Sequence, residues 1–312
     1  MPNLKSIKQR IKTVKSTQKI TQAMKLVAAS KVRKAQTRVL NARPYTQTIN
    51  HLIKRLVGSL QEIDKKEIPL MQEREIKSVG IIVISSDRGL CGSYNTNIIK
   101  RTIKRILELE KQNIEPKLIT IGNKANNFFR RTKINIIESF TQLPTVPSVE
   151  LANLIAANAE IAFCGKAEFL QNNFKPNEKA NSSPSVDHVE IIGTDFISML
   201  RNKVYIKSFL PIKLDDKNKE PKSQEASSIM LFEPELNSIL NCLLPLYLSN
   251  IIYHALLEAS CSELASRMNA MSSATTNAKE IIEKLSIVYN KARQASITQE
   301  LTEIVGGVEA LK

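Results

Sequence analysis

The residues best placed to do chemistry lie in one turn, Ser86-Asp87-Arg88-Gly89-Leu90-Cys91-Gly92-Ser93-Tyr94-Asn95, which follows an apolar run and precedes a helical pattern. A glycine-rich turn between strand and helix is where a nucleotide phosphate would be cradled. The spacing fits neither G-x-G-x-x-G nor G-x-x-x-x-G-K-[ST]. The glycines therefore read as a backbone requirement of a tight turn. Cys91 is a second candidate, as a nucleophile, but that chemistry needs a neighbouring base. The three histidines, His51, His188 and His254, are scattered along the chain. Cys91, Cys164, Cys242 and Cys261 form no C-x-x-C pair and none adjoins a histidine, which argues against a disulfide framework or a zinc site and fits a reducing compartment. No catalytic, cofactor-binding or metal-ligating residue is assigned.

Charge is the stronger signal. The net charge is +15, and residues 1–61 hold nine Lys and five Arg with no Asp or Glu. The remaining residues are close to neutral. A basic, acid-free segment fits an acidic partner surface, or nucleic-acid phosphate. The nucleic-acid reading lacks a zinc finger, an RNP motif or a basic leucine zipper, and an apolar stripe runs through the basic region. The run from Leu236 to Leu257 is long enough to span a bilayer, but Asn237, Asn241, Pro245, Asn250 and His254 are costly there. No apolar signal core is read at the N-terminus.

The elements that must position these residues follow from periodicity. Residues 3–57 read as one helix, with Leu4, Ile7, Ile11 and Val14 at heptad spacing and Ile20, Met24, Val27, Ala28, Val32, Ala35 and Val39 continuing the stripe. Such a helix is on the order of 80 Å long, more than a small domain can cover. Pro44 is a candidate kink. Strands are expected at 79–86, 117–122, 133–138, 189–193 and 203–210, and helices at 95–111 and 147–163, the latter with Pro147 in its first turn. Strands alternating with helices imply a small open α/β sheet. Residues 171–187 and 215–228 read as polar connectors. After Pro234 the chain is helical, with a break expected at Pro245. Leu256, Ala259, Leu264, Met268, Met271, Ala274, Ala278, Ile281, Leu285, Val288, Ala292 and Ala295 form a narrow stripe suited to a coiled coil. The expected fold is α/β: a long antiparallel coiled coil of the N- and C-terminal helices (1–60 and 229–312) around a central Rossmann-like open α/β domain (75–214).

Three stretches resemble the gamma subunit of F-type ATP synthases. They are Thr17 to Met24 with Val27 to Lys31 and Arg43-Pro44-Tyr45; the central Ser86–Asn95 turn; and Ala265 to Met271 with Tyr289 to Glu300 and Glu303 to Gly307. Departures are Gly92-Ser93-Tyr94 where the family often has Gly-Gly-Leu, and Ser266 where it usually has Ala. The resemblance implies a non-catalytic central rotor stalk without cofactors. Its paired helices would enter the alpha/beta hexamer, and its α/β module would sit against the epsilon subunit and the ring of c subunits. It implies a monomer within a hetero-oligomer, associated with the membrane through the c-ring at the cytoplasmic side of a bacterial inner membrane. It places Met24, Arg293, Gln294 and Thr298 near the stator contact surface, and no chloroplast-type disulfide insertion is recognised. The alternative from another class is a basic nucleic-acid-binding coiled-coil protein.

Overall fold

The computed structural model describes residues 4–58, 68–165, 184–212 and 236–310. The polar connector at 215–228 and most of that at 171–187 fall outside them. In chain order the elements are α1 (Leu4–Gly58), a 3-10 turn (Pro69–Met71), β1 (Ser78–Ile84), α2 (Tyr94–Glu110), β2 (Glu115–Ile121), α3 (Asn123–Phe129), β3 (Asn135–Phe140), α4 (Val149–Cys164), β4 (His188–Phe196), β5 (Asn202–Leu210) and α5 (Leu236–Ala310). The chain divides into two compact units, residues 1–31 with 267–312, and residues 32–266.

In the first unit, parts of α1 and α5 pack as a helix pair. Leu4, Ile7, Ile11, Val14, Gln18, Thr21, Lys25 and Ala28 are buried or partly buried, a strict alternation of three and four residues. On α5 the matching series is Met271, Thr275, Ala278, Ile282, Leu285, Tyr289, Ala292 and Ser296. The hydroxyls of Thr21 and Thr275 meet across the seam at 2.9 Å. This corrects part of the expected stripes. Ile20 and Val27 are 57% and 56% exposed, Ile281 and Val288 are 44% and 46% exposed, and Ala295 is exposed too. Heptad geometry, once set by Leu4 and Ile7, sends the seam through polar Gln18, Thr21 and Lys25 and leaves larger aliphatic side chains outside.

The second unit is built on a five-stranded sheet of order β3-β2-β1-β4-β5. β1 pairs in parallel with β2 and β4, β2 in parallel with β3, and β5 closes the edge antiparallel to β4. Every residue of β1 is buried, as a central parallel strand covered on both faces requires. Its side chains alternate: Ile82 and Ile84 join a core with α4, the end of α1 and α5, whereas Val79, Ile81 and Val83 join one with α2 and α3. Within the run from Leu236 to Leu257, Leu240, Leu244, Leu248 and Ile252 belong to this core, at 1% exposure or less. α1 and α5 run antiparallel here: Arg43 meets Glu258 and Thr46 meets Asn250.

Two expectations are corrected locally, and one element was not expected. α5 passes through Pro245 without a break. The missing amide hydrogen bond is outweighed by the buried flank of Leu240, Leu244 and Leu248, each worth about 1.5–3 kcal/mol. Pro147 lies before α4 rather than in its first turn, because the Ser148 side chain caps the helix by accepting from Leu151 N at 3.3 Å. α3, seven residues long, carries too little period to be read in advance.

Candidate functional site

The turn after β1 is knitted by its own side chains. Ser86 N donates to Asn95 Oδ1 at 3.1 Å, and Ser86 Oγ donates to Arg88 O at 2.7 Å. Asn95 Nδ2 reaches Cys91 Sγ at 3.1 Å. Leu90 and Gly92 adopt positive φ angles of 63° and 59°, so one of the turn's glycines serves the backbone role that the sequence indicates. Asp87 accepts from Asn123 N at 2.8 Å and from Leu143 N, tying the turn to the ends of β2 and β3. Cys91 is 2% exposed. The side chains within its reach are Ser86 and Asn95, neither of which is a base. The thiol is a packing group.

β1 is also where the strand order reverses, with β2 on one side and β4 on the other. In open parallel sheets ligands enter the crevice at such a point. Here Tyr94, the first residue of α2, fills it. The ring is 3% exposed and belongs to the α2 core. Its hydroxyl lies beside Thr194 of β4 and donates to Ala259 O of α5 at 3.2 Å. Burial pushes this hydroxyl far above its ordinary range, so it stays a donor. At this reversal the ring of Tyr94 packs inward and its hydroxyl meets α5.

The four expected contact residues are not one cluster. Met24 is half-buried on α1, while Arg293, Gln294 and Thr298 are exposed on α5. Thr298 Oγ1 donates to Gln294 O at 2.9 Å, so these two share a turn. Met24 lies one turn from Thr21, which meets Thr275; Arg293 is some eighteen residues farther along α5, about 27 Å. Sequence reading missed a larger surface. Ile297, Leu301, Ile304 and Val308 repeat at four and three residues and are all 48–63% exposed. The signal was available: a continued heptad with nothing assigned to cover it. Contiguous exposed aliphatic surface of this kind marks an interaction face.

Comparison with known proteins decides the family. The family described as ATP synthase matches residues 3–311. The ATP synthase gamma chain of Trichormus variabilis is 42% identical over 335 aligned positions, and that of Gloeothece citriformis 42% over 333, each alignment covering all of both chains. The chain belongs to the ATP synthase gamma chain family. Among solved structures, a chain from the central stalk and c-ring of Tetrahymena thermophila mitochondrial ATP synthase is similar, with a TM-score of 0.58 and 25% identity over 82% of this chain and 99% of that one. A chain from Euglena gracilis mitochondrial ATP synthase gives 0.63 at 18% identity over 99% and 94%, a likeness of fold. The gamma-chain fold expected from the resemblance, two long helices flanking an open α/β module, is the fold observed. In a gamma chain, a closed switch point and an exposed heptad stripe are both coherent: the module is solid, and the helix end has a surface to offer.

Proposed function

We infer that the family role carries over to this chain: it is the rotor stalk subunit of an F-type ATP synthase. The observation that carries this is identity of 42% to gamma chains over the whole of both sequences. The chain itself performs no catalysis. Segments 1–60 and 229–312 act as the shaft inside a hexamer of alpha and beta subunits, and the module at 75–214 acts as the foot, against epsilon and the c-ring. The complex is held at the membrane, with this subunit on the cytoplasmic side of a bacterial inner membrane.

The mechanism follows from asymmetry. A rod in a pseudo-threefold ring presents a different face to each catalytic subunit. It can shift a site between open and closed only through a difference in contact energy. Driving a site from 1:99 to 99:1 requires about 5.5 kcal/mol. Met24, Arg293, Gln294 and Thr298 are the residues proposed to supply part of it, at two levels of the shaft. Arg293 is suited to charge-assisted hydrogen bonds made and broken at each step. The exposed cations of α1 attract acidic surfaces of the sleeve over roughly the 8–10 Å that salt screening allows.

The test is reconstitution. The chain should co-purify with alpha, beta and epsilon subunits as a complex with ATPase activity. Arg293→Ala with Gln294→Ala should leave nucleotide binding intact and slow turnover. A chain that joins no such complex refutes the reading, and normal turnover of the double variant refutes the role of those two residues.

A further inference from the structure

A polar cluster away from the turn is built on one buried carboxylate. Glu258 of α5 is 4% exposed. Its Oε2 accepts the backbone N–H of Phe196, the last residue of β4, at 2.6 Å. Its Oε1 accepts from Arg43 Nη2 of α1 at 3.2 Å, and His254 Nε2, one turn back on α5, stands 3.8 Å from the same oxygen. A single side chain thus holds the β4–β5 hairpin and both long helices. Around it Val32, Val39, Phe196, Leu257 and Cys261 pack as one cluster, with Met199 of the hairpin against it. Two turns along α5, Asn202 Nδ2 donates to Ser266 Oγ at 2.8 Å.

A buried charge is costly unless it is paired, and an apolar residue at this position would hold the elements together at lower cost. What apolar packing lacks is direction. Hydrophobic attraction depends on area and not on angle, so elements packed only by it can slip. A carboxylate shared between two donors resists slip, because slip costs it a hydrogen bond in a low-dielectric site. One of those donors is main chain, so the grip is on the sheet itself.

We propose that Glu258 is a positioning residue that locks the β4–β5 hairpin to both long helices against twist, so that torque passes between the α/β module and the helices through this carboxylate. The inference rests on the rotor-stalk reading. Glu258→Gln keeps the shape and removes the charge facing Arg43; Arg43→Gln removes the pair from its solvent side. Each variant is assembled into the complete complex, the hexamer is immobilised, and a bead is attached to the α/β module. Angular variance during a pause is inversely proportional to torsional stiffness. The expected result is about twofold wider variance and a lower ratio of protons pumped to ATP hydrolysed, with hydrolysis itself within twofold of wild type. Unchanged variance and an unchanged ratio in both variants would overturn the proposal. Failure of the wild-type chain to assemble is read first and overturns the rotor reading instead. A second measurement needs no assembly: in the full-length chain, Glu258→Ala should speed amide exchange at Phe196 at least tenfold while Ile191 and Ile192 keep their protection. An unchanged Phe196 rate sinks the lock.

Discussion

Replacing Arg105 with Met should loosen the sheet far more than the loss of a partly exposed cation would suggest. Arg105 on α2 grips Glu190 of β4 with two nitrogens, Nη2 at 2.6 Å and Nε at 2.8 Å. The side chains are 24% and 8% exposed. An exposed ion pair is worth about 0–1 kcal/mol, but removing one partner of a buried pair costs about 3–5 kcal/mol, because the other charge is left desolvated and alone. Residual exposure of the guanidinium, and His188 Nε2 at 3.8 Å from Glu190 Oε1, place this pair at the low end, about 3 kcal/mol, roughly a hundredfold in a local opening equilibrium. Because the chain forms two units, a global unfolding curve is a poor reporter, and amide exchange along β4 is the better one. Protection of Ile191 and Ile192 should fall by about a hundredfold in Arg105→Met. The double variant Arg105→Met with Glu190→Met should recover most of it, since a volume-matched apolar pair carries no stranded charge. A single variant that loses less than about 1 kcal/mol, or a double variant as loose as the single, would refute this account of the α2–sheet anchor.

Gly122 has a φ of +93°, and a Cβ there would clash with Ser85 O, so Gly122→Ala should cost about 3 kcal/mol, measured as lost amide-exchange protection at Ile121 and Ser85. Gly306→Ala and Gly307→Ala, where a Cβ meets nothing within 4 Å, should instead firm the end of α5 by about 0.5–1 kcal/mol each, read by amide exchange. Burial pushes the Cys261 thiol up to about 12, so at pH 8 iodoacetamide should label exposed Cys242 and spare Cys261; equal labelling in mass spectrometry would count against the packing around Cys261. Reversing Lys8, Arg10, Lys31 and Arg33 should weaken assembly or coupling and flatten its salt dependence, with unchanged ATP-driven proton pumping as the contrary result.

Much of this was legible because local rules and global fold agree. The apolar run at Val79 to Ile84, bounded by turn signals, fits a buried parallel strand, and the α2 pattern begins within a residue of where the turn ends. The seam was half legible. Leu4, Ile7, Ile11 and Val14 fix a heptad, but following side-chain hydrophobicity instead of period led to Ile20 and Val27, which face outward. Pro245 misled because a local penalty of about 3 kcal/mol is small beside a buried leucine flank. Nothing in the sequence joins Arg43 to Glu258, because their meeting depends on how two distant helices register against a hairpin. The closed switch point was hidden for the same reason: Tyr94 reads as a helix start until Ala259 is found above it.

The division of the chain into units has a consequence for its synthesis. Residues 1–31 group with residues 267–312 in one unit, so a helix segment made early pairs with one made about 240 residues later. At about 5–20 residues per second, the wait is on the order of tens of seconds. Throughout it, the segment has a heptad seam and no partner, and most of a helix's stability in a protein comes from packing its apolar face. Its charge then matters before any assembly exists. With eight Lys and Arg and no acid in residues 1–31, like charges repel one nascent chain from another and keep the unpaired seam in solution. The same cations proposed to attract a partner's acidic surface also protect the segment before it has one.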